Sequence, residues 1–310
     1  MELARMAQKM NNTEVAFYHM EQGLLLDGVL LEDKVPVVLS IYENRESPSF
    51  RALFDRVFPV LERTYSGRIE LLLLTAQIHA QNERWHEALE GYLAAISMNP
   101  TNYALYQMAY SLSQEVGDVD GQIALLERIE ENFNADEDIL EGLVFEYYNV
   151  GSWASCARLA TAQAEMTLDP EVAGNLYALA GTAWFQLDSF ELGTLAYKKA
   201  LDQERSPTTL NNYAWDLATN ERNLEFALQL TAECNASVEL EPAFLDTWAW
   251  VLYKMGRYAE AQVKIELALQ MLEEADRAGT YIHAAKIEQA LGNNENATVY
   301  RMKEALLKQL

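Results

Sequence analysis

Apolar residues recur along this chain at the three- and four-residue spacing that places them on one face of a helix. The stretch from 245 to 268 shows the pattern most clearly, with two apolar stripes separated by Gly256. The first stripe is Leu245, Trp248, Ala249 and Leu252, and the second is Ala261, Ile265 and Ala268. Glycine adopts the left-handed conformation that ends a helix at the least cost. The pattern therefore predicts two amphipathic helices joined by a tight turn at Gly256.

The same register of small residues recurs at intervals of 33 to 37 residues. The first small position of each unit, on its first helix, falls at Ala4, Ser40, Ala76, Ala109, Val144, Gly181, Ala214, Ala249 and Ala285. The second small position, on its second helix, falls at Ala16, Ala52, Ala88, Gln122, Cys156, Gly193, Ala227, Ala261 and Ala297. Small residues let two helix backbones approach closely, so the register predicts a tandem array of helix pairs.

Trp248, Gly256, Tyr258 and Ala261 carry a resemblance to the tetratricopeptide repeat (TPR), whose pattern places tryptophan, glycine, tyrosine and alanine at these spacings. The resemblance implies an all-α fold, a TPR-like α-α superhelix or solenoid of about nine helix-turn-helix repeats. We expect a single array over residues 1–310, with a truncated repeat at 1–29, an atypical repeat at 30–66 and clear repeats at 69–310. Since Ala4 already occupies the first small position, we also expect the chain to be a piece of a longer protein.

Composition excludes several functional classes. Half of the 310 residues are apolar, and 23 basic against 47 acidic residues give a formal net charge of −24. Such a surface repels nucleic acid, which needs a basic footprint. No apolar run approaches the ~20 residues that span a bilayer, and residues 1–10 lack the apolar core of a signal peptide. We therefore expect neither nucleic-acid binding nor direct membrane insertion.

The search for catalytic or metal-binding motifs finds none. The sequence has no HExxH, no Cys-x-x-Cys and no phosphate-binding glycine loop. Cys156 and Cys234 occupy packing positions, so we interpret both as buried thiols. The sequence predicts a protein that is not an enzyme, with no catalytic residue, metal or cofactor.

The resemblance also implies where a ligand would bind, since first helices line the concave groove of TPR proteins and ligands contact residues just beyond the packing stripe. In this chain those register positions carry an aromatic band with polar neighbours. The predicted partner-binding residues are Tyr110, Phe145, Tyr148, Phe185, Asn211, Trp215, Asp246, Trp250 and Tyr253. Asn211 and Asp246 stand where chaperone-binding TPR proteins have basic residues, which argues against recognition of a peptide carboxylate. The alternative is that the rings only pack between neighbouring first helices.

These features predict a non-catalytic scaffold that binds a partner protein or peptide, apolar and neutral to basic, in the concave groove. The alternative is a regulatory or substrate-docking arm of an enzyme whose catalytic domain lies outside this chain. Asn211 to Ala214, followed one repeat later by Leu245 to Trp250, is similar to bacterial TPR proteins, many of them attached to the cell envelope. That similarity favours a periplasmic or envelope location over the cytoplasm.

Overall fold

The computed structural model describes residues 13–134, 136–237 and 241–308, and in these ranges the chain is built of α-helices without β-strands. It divides into two compact units, Met1–Ala135 and Asp136–Leu310. The helices of the first unit are α1 (Thr13–Leu25), α2 (Leu31–Glu43), α3 (Pro48–Thr64), α4 (Ile69–Gln81), α5 (Trp85–Met98), α6 (Tyr103–Val116) and α7 (Val119–Asn132). The predictions made for Ala4 and for the start of repeat one lie outside the described residues.

The second unit contains five helix pairs, with a short 3₁₀ helix (Glu274–Arg277) before the last of them. They are α8 (Glu137–Asn149) and α9 (Trp153–Met166); α10 (Pro170–Gln186) and α11 (Phe190–Gln203); α12 (Pro207–Thr219) and α13 (Leu224–Ser237); α14 (Pro242–Lys254) and α15 (Tyr258–Met271); α16 (Ala278–Ala290) and α17 (Asn294–Leu307). Within this unit, first helices lie beside the first helices of neighbouring repeats, and each packs on its own second helix. None of the described helices has the length and hydropathy of a membrane span.

The helix pair α14–α15 forms where the sequence predicts it. Gly256 follows α14 with φ +76°, and Arg257 N–H donates to the Leu252 carbonyl at 2.9 Å, which closes the turn. Ala249 and Ala261 are both fully buried between the two helices. This confirms the register for repeat eight.

The small positions allow close approach most visibly in repeat six. A Cβ atom added at Gly193 of α11 would lie 2.5 Å from the Phe185 ring and 3.1 Å from the Gly181 carbonyl oxygen. A Cβ added at Gly181 of α10 would lie 2.7 Å from the Tyr197 ring. The distances of 2.5 and 2.7 Å to the two rings are shorter than real Cβ contacts. Only glycine therefore fits at these two positions at the present separation of the helices.

Repeat two departs from the predicted register. Ser40 and Ala52, the predicted small contacts, are exposed, while their neighbours Ile41 and Leu53 are buried. One residue corresponds to a rotation of about 100° about a helix axis. Exposing alanine or serine costs little, whereas burying isoleucine or leucine contributes about 1.5–3 kcal/mol each, so the large residues decide which face turns inward.

Repeat two also buries a charged residue. Lys34 is almost completely buried, and its Nζ donates hydrogen bonds to the Leu26 carbonyl at 2.9 Å and to the Tyr65 hydroxyl at 2.8 Å. These contacts join α2 to the turn before it and to the residue that follows α3. Lys34 therefore connects the two ends of repeat two through hydrogen bonds.

Candidate functional site

Three of the predicted aromatic residues come together in the second unit. The Trp250 ring lies between Trp215 and Tyr253, in stacked arrangements with centroid distances of 6.0 and 5.1 Å. Trp215 and Trp250 hold the same register position in consecutive repeats, and their helices α12 and α14 lie side by side. Because the two positions are one repeat of 35 residues apart, packing of consecutive repeats brings their rings into contact.

The cluster contains a fourth ring outside the predicted residues, His283 of α16. Its centroid lies 4.7 Å from Trp250 and 5.4 Å from Trp215. Its Nδ1 lies 2.9 Å from a carboxylate oxygen of Asp246, so the imidazole joins the predicted acidic residue to the aromatic rings. Lys286 follows the first small position Ala285 of repeat nine, as Trp250 follows Ala249 of repeat eight. His283 lies three residues before Lys286, which is one helical turn away on the same face. Extending the register by one turn would have found it.

The Trp250 side chain packs inside the cluster and exposes little surface. Only 6% of it is exposed, and its Nε1 donates to Thr219 Oγ1 at 3.3 Å. Lys254 and Lys286 place their ammonium groups 5.1 and 4.8 Å from its ring centroid. Trp215 and Tyr253 remain partly exposed on either side of it. The structure thus assigns Trp250 to packing between first helices and leaves its two neighbours at the surface.

An open cavity of about 430 Å³ adjoins this cluster, at the N-terminal parts of α12, α14 and α16. We call it the first-helix cavity. Trp215, Asn211, Asp246 and His283 contribute to its lining, and so do the carboxylates of Glu241 and Asp276. Its lining contains three carboxylates and no lysine or arginine. The lining therefore combines negative charge with the aromatic ring of Trp215.

The remaining predicted residues do not join this cluster. Phe185 is only 2% exposed and packs against Phe190, Tyr197 and Tyr213, so it belongs to the core and we exclude it from the binding surface. Its position one turn after Gly181 puts it over Gly193, where the missing side chain leaves room for the ring.

Phe145 and Tyr148 lie together on α8, and Tyr110 lies on α6 of the first unit. Phe145 is exposed, whereas Tyr148 is partly buried with its ring 5.4 Å from that of Trp153. Burial raises the pKa of the Tyr148 hydroxyl. The predicted band is therefore dispersed, and only its repeat seven and eight members converge.

A buried polar group next to the aromatic cluster is structural. Asp216 is buried, and Tyr197 donates its hydroxyl hydrogen to Asp216 Oδ2 at 2.6 Å. Thr182 Oγ1 lies 2.6 Å from the Tyr197 hydroxyl in turn. Burial raises the pKa of Asp216 to about 6. The three side chains connect α10, α11 and α12 through buried hydrogen bonds, so we interpret the group as a packing element.

Among the described residues we find no metal-binding cluster, and the two cysteines are buried. No three His, Cys, Asp or Glu side chains among them converge to hold a metal ion. Cys156 and Cys234 are both buried, and burial raises the pKa of their thiols to about 12 and about 11. Since the thiolate is the nucleophile, both cysteines are unreactive packing residues.

Comparison with known proteins bears on the fold. No protein-family model matches the sequence, and no curated protein matches it. The structure is similar to that of a tetratricopeptide repeat protein from Parabacteroides merdae, with a TM-score of 0.58 and 17% identity over 78% of this chain and 96% of that one. It is also similar to a chain of the APC/C hetero-tetramer Cut9–Hcn1, with a TM-score of 0.50 and 14% identity over 99% of this chain, which spans 65% of the length of that one. The helix pairs, their register and these two likenesses agree: the chain has the fold of tetratricopeptide repeat proteins.

Proposed function

We propose that this chain is a non-catalytic scaffold, and that its second unit binds an apolar, basic segment of a partner protein at the first-helix cavity. The single observation that carries the proposal is the meeting of partly exposed Trp215 with Asp246, Glu241 and Asp276 around an open cavity. Aromatic rings give large contact areas with few rotatable bonds, which suits an interaction hot spot.

The charge of the lining supports a basic partner. Asp276 and Glu241 are exposed and form no ion pair with a described residue, while Asp246 has its contact with His283. An arginine entering the cavity would gain a carboxylate partner and could stack its planar guanidinium on Trp215. The partner segment is therefore expected to carry at least one arginine beside apolar residues.

The test uses a synthetic fluorescent peptide, which we call the basic probe, in which arginine alternates with leucine and phenylalanine. Trp215→Ala in the full chain should weaken its binding at least about tenfold, which corresponds to about 1.4 kcal/mol. Asp246→Asn should weaken binding less and should also reduce its dependence on salt, because a charge pair is lost. Fluorescence anisotropy measures both effects.

Trp248→Ala provides the matched control. Trp248 lies on the same helix as Asp246 but does not line the first-helix cavity, and Lys264 covers its ring at 3.6 Å. The folded Trp248→Ala variant should bind the basic probe like the wild type. Equal affinities of wild type and a folded Trp215→Ala variant would place binding elsewhere, and equal binding of a glutamate version of the peptide would exclude the charge argument.

A further inference from the structure

The helix α11 carries two exposed leucines that face away from its own repeat core. Leu192 is 47% exposed and Leu195 is 53% exposed. A leucine exposed alone is ordinary, but these two lie three residues apart on one helix and border two open cavities. A contiguous apolar surface of this kind in a soluble chain is typical of an interaction site.

The first of these cavities, which we call the large groove, has a volume of about 750 Å³. Phe190, Thr194, Leu195 and Lys198 of α11 line one side of it. Their spacing of three or four residues places them on one helix face over eight residues, or about 12 Å of helix length. Tyr213 and Leu217 of α12 and Phe226 of α13 also contribute to the lining. The groove therefore runs along α11 with a largely apolar lining and charged side chains among the lining residues.

The second cavity, which we call the small groove, has a volume of about 480 Å³. Tyr177 and Trp184 of α10 line it together with Leu192 and Leu195 of α11. Because Leu195 lines both cavities, it forms a ridge between them. The two grooves and this ridge make one continuous surface, in which an apolar side chain can enter on either side of α11.

Cations surround this surface in a chain that has few of them. Residues 101–200 contain 16 acidic and only four basic residues, and three of those four, Arg158, Lys198 and Lys199, line the two grooves. Arg222 also lines the large groove, with its guanidinium 4.3 Å from the Phe190 ring centroid. The linings of the two grooves therefore contain more basic than acidic residues, whereas residues 101–200 as a whole are strongly acidic.

These cations are not all neutralised by carboxylates of the chain. Lys199 pairs with Glu165 at 3.0 Å. Lys198 and Arg222 form no ion pair within the described part of the chain, and Glu191 is the single carboxylate in the lining of the large groove. Two positive charges therefore lie at the edge of the large groove without a carboxylate partner among the described residues.

We propose that the two grooves and the Leu195 ridge form a second docking surface, which binds an acidic amphipathic helix of a partner protein. A helix presents an apolar stripe flanked by charged residues, and its side chains can enter the grooves on both sides of the ridge as helices pack in bundles. Glutamate or aspartate beside the stripe meets Lys198 and Arg222. This surface has the opposite charge preference to the first-helix cavity, and the inference does not rest on the function proposed for that cavity.

The test uses an acidic probe, a fluorescent helical peptide with a stripe of leucine and phenylalanine and glutamate at the flanking positions. The double variant Leu195→Ser with Lys198→Glu should bind it at least about tenfold more weakly than the wild type, by about 1.4 kcal/mol. Both side chains are exposed, so the fold should persist, and circular dichroism checks this. Val263→Ser with Lys303→Glu makes matching changes at exposed positions on α15 and α17, and it should change the affinity less than about twofold.

Five further results support or overturn the proposal. The acidic and basic probes should bind together without competition, since their surfaces differ, and Trp215→Ala should leave acidic-probe binding unchanged. No binding of the acidic probe at concentrations up to about 1 mM, or equal weakening by the two double variants, would overturn the proposal. Flotation with phosphatidylglycerol vesicles in the absence of peptide binding would also overturn it, because the grooves would then serve a lipid surface.

Discussion

Repeats two and eight solve the same packing problem with different residues. In repeat eight, fully buried Ala249 and Ala261 let α14 and α15 approach closely. In repeat two, Ser40 and Ala52 hold the equivalent register positions but face solvent, and Leu53 fills the contact instead. The difference teaches that a small residue permits a close contact but does not drive it. The apolar area removed from water decides which helix face turns inward.

The two regions also differ in how they bury charge. Lys34 of repeat two donates to a carbonyl and to a hydroxyl, whereas Asp216 of repeat seven accepts from Tyr197 in the preceding repeat. Lys34 thus connects two parts of one irregular repeat, whereas Asp216 connects two regular repeats that are neighbours in the chain. In both places hydrogen bonds to the buried group replace some of the contacts that it would make with water.

The largest expected effect tests repeat two. Leu53→Ala should lower the free energy of unfolding by about 2–5 kcal/mol, because it leaves a cavity at a fully buried site. Urea unfolding of the full chain measures the loss, and hydrogen exchange should locate it in the first unit. Leu306→Ala, at an exposed leucine, is the control and should stay within about 0.5 kcal/mol. A loss below that of the control would show that Leu53 does not form the contact.

The next effect concerns the buried charge of repeat seven. Burial raises the pKa of Asp216 from 3.8 to about 6, so the folded state holds this proton more tightly than the unfolded state does. The stability that comes from the neutral carboxyl is complete below pH ~4 and is lost as the pH rises through ~6, by about 3 kcal/mol in total. Asp216→Asn should remove this dependence, since its amide stays neutral and its oxygen still accepts from Tyr197.

Urea unfolding of wild type and Asp216→Asn between pH 4 and pH 7 measures the difference in the free energy of unfolding. The other carboxylates titrate in both proteins, so their contribution cancels in this difference. The variant should gain stability relative to the wild type as the pH rises. Parallel pH profiles would mean that Asp216 is not desolvated in the folded state.

The smallest effect compares the two registers directly. Ala261→Leu should cost about 1–3 kcal/mol, because the added methyl groups overpack the α14–α15 contact. Ala52→Leu makes the same change at the equivalent position of repeat two and should stay within about 0.5 kcal/mol, since Ala52 is exposed. Thermal unfolding of both variants provides the comparison. Similar losses in the two repeats would mean that repeat two keeps the ordinary register after all.

The candidate site could be predicted from the sequence in part. Trp215 and Trp250 were found because identical register positions in neighbouring repeats lie side by side, and the register was readable. Phe185 has the same register position as Tyr253, yet one is core and the other is partly exposed. The cause is a glycine on the facing helix: Gly193 makes room for the Phe185 ring, and this depends on the distance between two helices and not on either residue alone.

The sequence by itself determined the helices and the repeat, because these follow from local spacing: apolar stripes every three or four residues. Glycine with positive φ marked some of the turns, such as Gly256, although Glu83, Asp188 and Glu221 adopt positive φ at others. Only the tertiary structure decided the rotation of repeat two, the contact of His283 with Asp246 and the two grooves beside α11. Each of these depends on the separation and rotation of helices that are far apart in the chain. Those quantities are set by the total apolar area and side-chain volume packed between the helices, which no single position in the sequence specifies.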